Sequence, residues 1–455
     1  MKYTKHIIAS AALLLSGMSL SAQHTKSGYF LDGYMYRHEM NPALANAQNY
    51  IAFPAFGNFN FGLQGNLDLE NFIYNVNGQT TTFLNPAINA QEFLSNIDDE
   101  NELNFDTNIK LFGAGFKAFG GYNTIGVSIR SNVQAMLPKT LFQFAKEGLS
   151  NKNYDISQFD INARAYAEVA LGHSRQINKN LRVGANLKFL VGLADIDAKF
   201  NKAQINLGND QWTAVTNAEI NASVKGLTYE TEISENTKKP YVNSMNVDGF
   251  GPNGFGLGID LGAEYKLNDS WTFSAALLDL GFISWNNNMV ATTNGDKTFT
   301  TDDYQFSFDD KDSNNFEDEL DRLTNGLSGL YELDNAGDKG GRTTMLATTL
   351  NLGAQYTLPV YDKLTFGLMN TTRFQGDFTW TDFRLSANVA PVKWFSAGVN
   401  GSVGTYGTAF GWMVNIHPTG FNLFVGMDQM LGKTTKEFVP LASKASLNFG
   451  INVPF

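Results

Sequence analysis

The sequence predicts an all-β fold, a transmembrane antiparallel β-barrel of about fourteen strands, and three observations predict it. Long stretches alternate apolar and polar residues with a period of two, the pattern of a strand with a different solvent on each face. Beyond the first two dozen residues no stretch is long and apolar enough for a transmembrane helix, so any membrane crossing must use strands. Short links recur at one end of the strand series, and longer links or turns lie at the other.

Composition agrees. The 455 residues include 43 Gly, 36 Phe and no Cys, and only 17% are charged. Lack of cysteine excludes thiol catalysis, zinc ribbons, disulfides and a lipoprotein anchor. A soluble chain of this length would divide into domains, whereas a barrel keeps it in one closed sheet.

At the amino terminus Lys2 and Lys5 precede an apolar run from Ile7 to Leu20, followed by Ser21 and Ala22. This order marks a secretory signal, cut after Ala22 or Ser21, so residues 1–22 are assigned to it. Its loss removes Lys2 and Lys5 and moves the net charge from −11 to −13. The barrel is assigned to 58–455, its first strand starting near Phe59.

One strand is predicted from Phe255, Leu257, Ile259, Leu261, Ala263, Tyr265 and Leu267, opposed by Gly256, Gly258, Asp260, Gly262, Glu264 and Lys266. A polar face this charged is expected to meet water. Ile161 to Leu171 repeats the pattern, as do Leu181 to Val191, Trp271 to Leu277, Leu350 to Leu358, Leu364 to Leu368, Phe383 to Val389, Phe395 to Val403, Phe410 to Ile416 and Phe421 to Met427. Several approach the roughly ten residues a tilted membrane strand needs. In the last strand Ala445, Leu447, Phe449, Ile451, Val453 and Phe455 alternate against small or polar residues. Phe449, Ile451, Val453 and the terminal Phe455 resemble the signal that the barrel-assembly machinery reads. Short links near Gly120, Asn178, Asn268, Pro359, Pro391 and Pro418 all fall at the end that holds Phe455, the periplasmic end of an outer-membrane barrel.

Three stretches lie outside the strand pattern or extend from it. Within 67–107, Asn85 and Pro86 read as the cap and first turn of a short helix that continues through Phe93, Leu94 and Ile97. Residues 196–252 form an extracellular extension, a hairpin. Residues 287–341 form an acidic extracellular loop with thirteen Asp or Glu against four Lys or Arg. In that loop Phe316, Leu320, Leu323, Leu327 and Leu330 recur at helical spacing, the pattern of an amphipathic helix over the barrel mouth.

Sites of chemistry are sparse, and no catalytic, cofactor or metal residue is assigned. Gly113-Ala114-Gly115-Phe116-Lys117-Ala118 has dinucleotide-binding spacing but sits in a strand, where the glycines allow close packing instead. Asp310, Asp312, Asn314 and Asp321 approach the spacing of a calcium loop, yet Asn315 stands where glycine is needed. His24, His38, His173 and His417 have no metal spacing, and no Gly-x-Ser-x-Gly elbow occurs, so the chain reads as a non-enzyme. The acidic balance opposes nucleic-acid binding.

Residues 23–57 carry Met40-Asn41-Pro42-Ala43-Leu44-Ala45, which resembles the Asn-Pro-Ala-Gly-Leu-Ala element of the outer-membrane group of PorV and long-chain fatty-acid transporter (FadL) barrels. Leu278 to Trp285 resembles a second element of the PorV-type members, in a branch known only as domains of unknown function from bacteria that use type IX secretion. The resemblance implies a fourteen-stranded barrel with residues 23–57 as a luminal plug, in which Asn41, Pro42 and Ala43 form a turn. Leu44 replaces the group's usual Gly, and no transported ligand carries over.

Two functions fit. The long loops favour a non-enzymatic partner or scaffold in an envelope or secretion-related assembly, holding an envelope or surface protein on its extracellular side. The alternative is a plugged transporter for a small hydrophobic molecule. The other expected contacts are outer-membrane lipid and the barrel-assembly machinery, with no cofactor.

Overall fold

The computed structural model describes residues 25–148, 152–208, 211–301, 322, 325–430 and 441–455. The residues 1–22 assigned to an export signal and the calcium-like stretch lie outside the described residues, as do Phe316, Leu320 and Leu323 of the acidic loop.

Fourteen antiparallel strands close into one barrel, the predicted fold class and strand number. They are β1 (Tyr50–Ala52 and Phe59–Gly65), β2 (Glu100–Ala118), β3 (Gly121–Pro138), β4 (Asp160–Gln176), β5 (Leu181–Leu207), β6 (Gly254–Lys266) and β7 (Trp271–Trp285). Then follow β8 (Arg342–Met345 and Thr348–Thr357), β9 (Leu364–Phe374), β10 (Trp380–Val392), β11 (Phe395–Gly404), β12 (Gly407–Ile416), β13 (Asn422–Met427) and β14 (Ala445–Pro454). Each pairs with the next, and β14 returns to β1 with Phe449 opposite Phe59, so no edge is left open.

Alternation sets the two faces. Phe255, Leu257, Ile259 and Leu261 project outward and are exposed, as a lipid-facing band must be. The opposite face departs from expectation. Asp260 is only 1% exposed and pairs with Lys188 at 2.8 Å, so the charged face meets partner charges rather than water. Arg130, Lys188, Glu168 and Asp279 complete the cluster. Arg130 contacts Glu168 at 2.9 Å and Asp279 at 2.8 Å, and Lys188 contacts Asp279 at 2.6 Å. A bulge aims one of these groups. Asp279 lies in the left-handed region (φ 58°), between Leu280 opposite Ile259 and Leu277 opposite Leu261, and its amide donates to the Asp260 carboxylate at 2.7 Å.

The links β2–β3, β4–β5, β6–β7, β8–β9, β10–β11 and β12–β13 share the end that holds the carboxy terminus. At the other end the 27-residue β5 outruns the wall. From Ala194 onward its partner on one side changes from β6 to the ribbon Trp212–Val224. That ribbon pairs with Met289–Thr292 and Lys297–Thr300, so the two long insertions build one projecting sheet. A second ribbon joins Leu227–Ile233 to Pro240–Val247.

Two local expectations change. The short helix is Ala90–Ser95, and its cap is Asn89, whose side chain accepts from the amides of Gln91 and Glu92. Asn85 closes its own turn on the Ala87 amide. In the acidic loop, residues 325–329 are helical, but Leu327 is exposed while Ser328 is buried, so the apolar stripe does not face inward there.

Candidate functional site: the luminal segment and its seat

Residues 25–49 run through the interior before the chain enters β1. Their hydrogen bonds go around the ring. Asn351 of β8 donates to the Met40 carbonyl at 2.9 Å, Ser396 of β11 to that of Asp32 at 2.6 Å, and Tyr122 of β3 to that of Gln48 at 2.9 Å. Tyr29, Tyr34, Tyr36, Met40 and Leu44 pack with Met369, Met413 and Phe424 of the wall. Apolar side chains thus fill the centre, while asparagines line the wall around them.

Asn41 is fully buried and organises the middle of the segment. Its Oδ1 accepts from the Ala43 amide at 2.9 Å, and its Nδ2 is shared among the Tyr29 hydroxyl and the carbonyls of Ala263 and Ala275 at 3.2 to 3.3 Å. The main chain comes close to the wall here. A Cβ at Gly184 would collide with the Pro42 carbonyl, and one at Gly262 with Asn41 Oδ1, so glycine at both positions creates the seat. Asn41, Pro42 and Ala43 therefore form a turn docked on β5, β6 and β7.

Two further attachments hold the ends. The Asp428 carboxylate accepts from the Lys26 amide at 2.8 Å and from the Ser27 amide and hydroxyl at 2.6 Å each. At the short-turn end the His417 ring packs against Gly33, leaving no room for a side chain there. Burial holds the His417 imidazole below its ordinary value, against the opposing pull of Asp32.

Beside the segment the register of the wall is interrupted, although main-chain bonds still bridge it: the Phe53 amide donates to the Ile451 carbonyl at 3.1 Å, the Ile451 amide to that of Phe56 at 2.8 Å and the Lys110 amide to that of Asn58 at 3.0 Å. Ala52 opposes Asn452 and Phe59 opposes Phe449, seven steps along β1 against three along β14, so four residues leave the sheet between them. Phe53 and Phe56 of this knuckle are exposed on the lipid side, and Leu111 bulges out of β2 next to it. Glu39 of the luminal segment spans both flanks. It accepts from Asn58 Nδ2 at 3.1 Å and pairs with Lys110 Nζ at 2.5 Å. A small cleft lies here, lined by His38, Glu39, Tyr50, Lys110 and Lys188 among others.

Phe449, Ile451, Val453 and Phe455 belong to the closing seam instead. The Phe449 ring stacks on Phe59 with centroids 5.0 Å apart, and Val453 and Phe455 are exposed. The sequence reading singled out Asn41, Pro42 and Ala43 but not Glu39, Lys110, Asp428 or the Arg130–Lys188 cluster. One signal was available, since charges on the non-lipid face of a membrane strand must find partners inside.

No curated protein matches the chain. Among solved structures, the toluene transporter TodX of Pseudomonas putida is similar at 9% identity, with 96% of this chain and 94% of that one covered and a TM-score of 0.39. The toluene transporter TbuX of Ralstonia pickettii gives 8% identity, 96% and 95% coverage and a TM-score of 0.42. A FadL homologue of Pseudomonas aeruginosa gives 10%, 96% and 98%, and 0.37. The model of a family of unknown function, DUF5723, matches residues 42–428, from the docked Asn41-Pro42 turn to the Asp428 attachment, and the chain belongs to that family.

Proposed function

We propose that this protein is an outer-membrane channel for a small hydrophobic molecule, held closed by its own luminal segment. The observation that carries this reading is the break in β1. A wall in lipid must keep its backbone groups paired, and β1 does so here through a bulge instead of a regular ladder, the amides of Phe53 and Ala55 donating to the carbonyls of Ile451 and Leu111. Here four residues are looped out, and the segment behind them grips both flanks through Glu39. A static support has no use for such a coupling, whereas a side port needs it. Movement of Glu39 away from Asn58 and Lys110 would open a way between the lumen and the lipid-facing Phe53 and Phe56.

Deleting residues 54–57 tests this, because removing four residues restores the register with β14. In vesicles, entry of the apolar dye N-phenyl-1-naphthylamine is expected to exceed that of empty vesicles with the intact chain and to fall to background with the deletion. Equal entry by both, or none by the intact chain, contradicts the proposal. A scaffold role is the second reading, supported by the sheet that projects beyond the wall on β5 and by the resemblance of Leu278 to Trp285. Its test is a protein that co-purifies with the intact chain and is lost when the 227–247 ribbon is removed.

A further inference from the structure

At the short-link end, where β2 turns into β3 and β4 into β5, cations stand among apolar side chains on the outer wall. Along β4, Val169 and Leu171 are exposed with the lipid-facing band, while Glu168 and Ser174 of the opposite parity are buried. Arg175 continues the outer face beyond His173 and is exposed, and Ile177, 56% exposed, follows it. The Arg175 guanidinium lies against the neighbouring turn, 3.8 Å from where a Cβ on Gly120 would stand. Among the described residues neither Arg175 nor the exposed Lys179 of the β4–β5 turn pairs with a carboxylate. Other cations nearby are answered: Arg182 stands opposite Glu264 in the sheet, and Lys266 reaches Asp269 at 2.8 Å.

The β2–β3 link is a two-residue turn of Phe119 and Gly120 between the paired Ala118 and Gly121. Phe119 takes the left-handed region (φ 52°) and is 84% exposed. Such a turn favours Asn or Gly, so phenylalanine there costs backbone strain and, in water, an exposed ring. Immersion of the ring in a bilayer interface removes the second cost.

An unpaired guanidinium on a lipid-facing wall needs an anion at the depth of the bilayer surface. A phospholipid phosphate lies there and takes the planar fork through two hydrogen bonds. A soluble acidic partner would answer the charges, but Phe119 and Ile177 continue the band that lipid already covers. Two cations without a carboxylate beside them favour a headgroup of net negative charge over a zwitterionic one, whose own cation they would repel. The chain as a whole carries a net charge of −11, so any preference for anionic lipid must come from a local site rather than from general attraction.

We propose that the β2–β3 and β4–β5 turns bind one anionic phospholipid of the periplasmic leaflet, with Arg175 and Lys179 on its phosphate and Phe119 and Ile177 against its acyl chains. The site requires the barrel to sit in a bilayer but not to conduct, and failure of the dye-entry experiment leaves it standing.

Native mass spectrometry of the full-length protein, released from detergent with added phosphatidylglycerol or phosphatidylcholine of the same acyl chains, tests the site. The intact chain is expected to hold one phosphatidylglycerol more tightly than phosphatidylcholine. Arg175→Gln and Lys179→Gln should each weaken phosphatidylglycerol binding about fivefold, and their effects should multiply in the double variant while phosphatidylcholine is unaffected. Lys266→Gln, whose charge Asp269 already meets, should keep the preference, and every variant should still shift in gel mobility on boiling. Excess glycerol 1-phosphate should not displace the lipid. Equal retention of both lipids by the intact chain, a preference that survives in the double variant or is lost equally in Lys266→Gln, or displacement by glycerol 1-phosphate overturns the proposal.

Discussion

The Glu39–Lys110 pair should report most sensitively on whether the luminal segment is coupled to the wall. The side chains are 8% and 6% exposed and 2.5 Å apart, so solvent screens the pair little. Removing one partner of such a pair leaves a buried charge and costs about 3–5 kcal/mol. Asn58 still donates to Glu39 when Lys110 is replaced, which places Lys110→Met near the lower end, about 3 kcal/mol. That is a shift of roughly a hundredfold or more in the docking equilibrium. Removing both charges in Glu39→Gln/Lys110→Met leaves no orphan charge and is expected to cost less than either single change. Leu44→Cys, placed in all four backgrounds, supplies a reporter, because Leu44 is buried beneath the wall and the chain has no other thiol. Maleimide labelling should accelerate roughly a hundredfold in each single variant and return most of the way in the double. Singles that label at the parental rate, or a double as fast as the sum of the singles, would refute the coupling.

Other perturbations follow the same contacts. Gly262→Ala puts a Cβ against Asn41 Oδ1 and should expose residues 25–49 to protease while the boiled and unboiled forms still differ on a gel; an unchanged digestion pattern would count against the seat. Lys188→Met removes the cation between Asp260 and Asp279 and should lower the urea midpoint by the equivalent of about 3–5 kcal/mol, whereas the exposed control Lys266→Met, at the end of β6, should leave it in place. The depressed His417 value means that the docked state binds its proton less readily than the undocked one. Its contribution is therefore complete above about pH 6.5 and is lost as pH falls through the docked value. Protease sensitivity of the segment should rise on acidification, and His417→Gln should flatten that profile. Asn89→Ala should destabilise helix Ala90–Ser95 by about 1 kcal/mol, read as faster amide exchange at Gln91 and Glu92.

The wall was legible in the sequence because membrane strands obey one rule over many residues. Phe255 to Leu267 alternates without error, and the short links fall on one side, so strand direction and number followed, while β1 starts at Tyr50 opposite Pro454, inside the stretch assigned to the plug, and not near Phe59. The interior was less legible. Asp260 was recognised as polar, but a period of two tells only which face a charge occupies. Its partner Lys188 lies on a neighbouring strand, and Asp279 reaches the cluster through a bulge that shifts the register by one. Glu39 was missed for the same reason, since its partners Asn58 and Lys110 are distant in sequence and meet only when β1 and β2 pair. The cap moved from Asn85 to Asn89 because both positions carry good capping chemistry, and packing of Phe93, Leu94 and Ile97 chose between them. Asn41 and Pro42 stood out by resemblance, while their seat depended on Gly184 and Gly262, whose role no local pattern shows.

The central claim is that residues 25–49 must move for the barrel to open. Ser27→Cys with Asn400→Cys, whose side chains meet at 2.9 Å, would place a single disulfide between the segment and β11 in an otherwise cysteine-free chain. In dye-entry measurements on the paired variant, the account predicts background entry when oxidised and recovery to the reduced level after dithiothreitol. Entry that is equal before and after reduction, with the disulfide confirmed by mass, would contradict it.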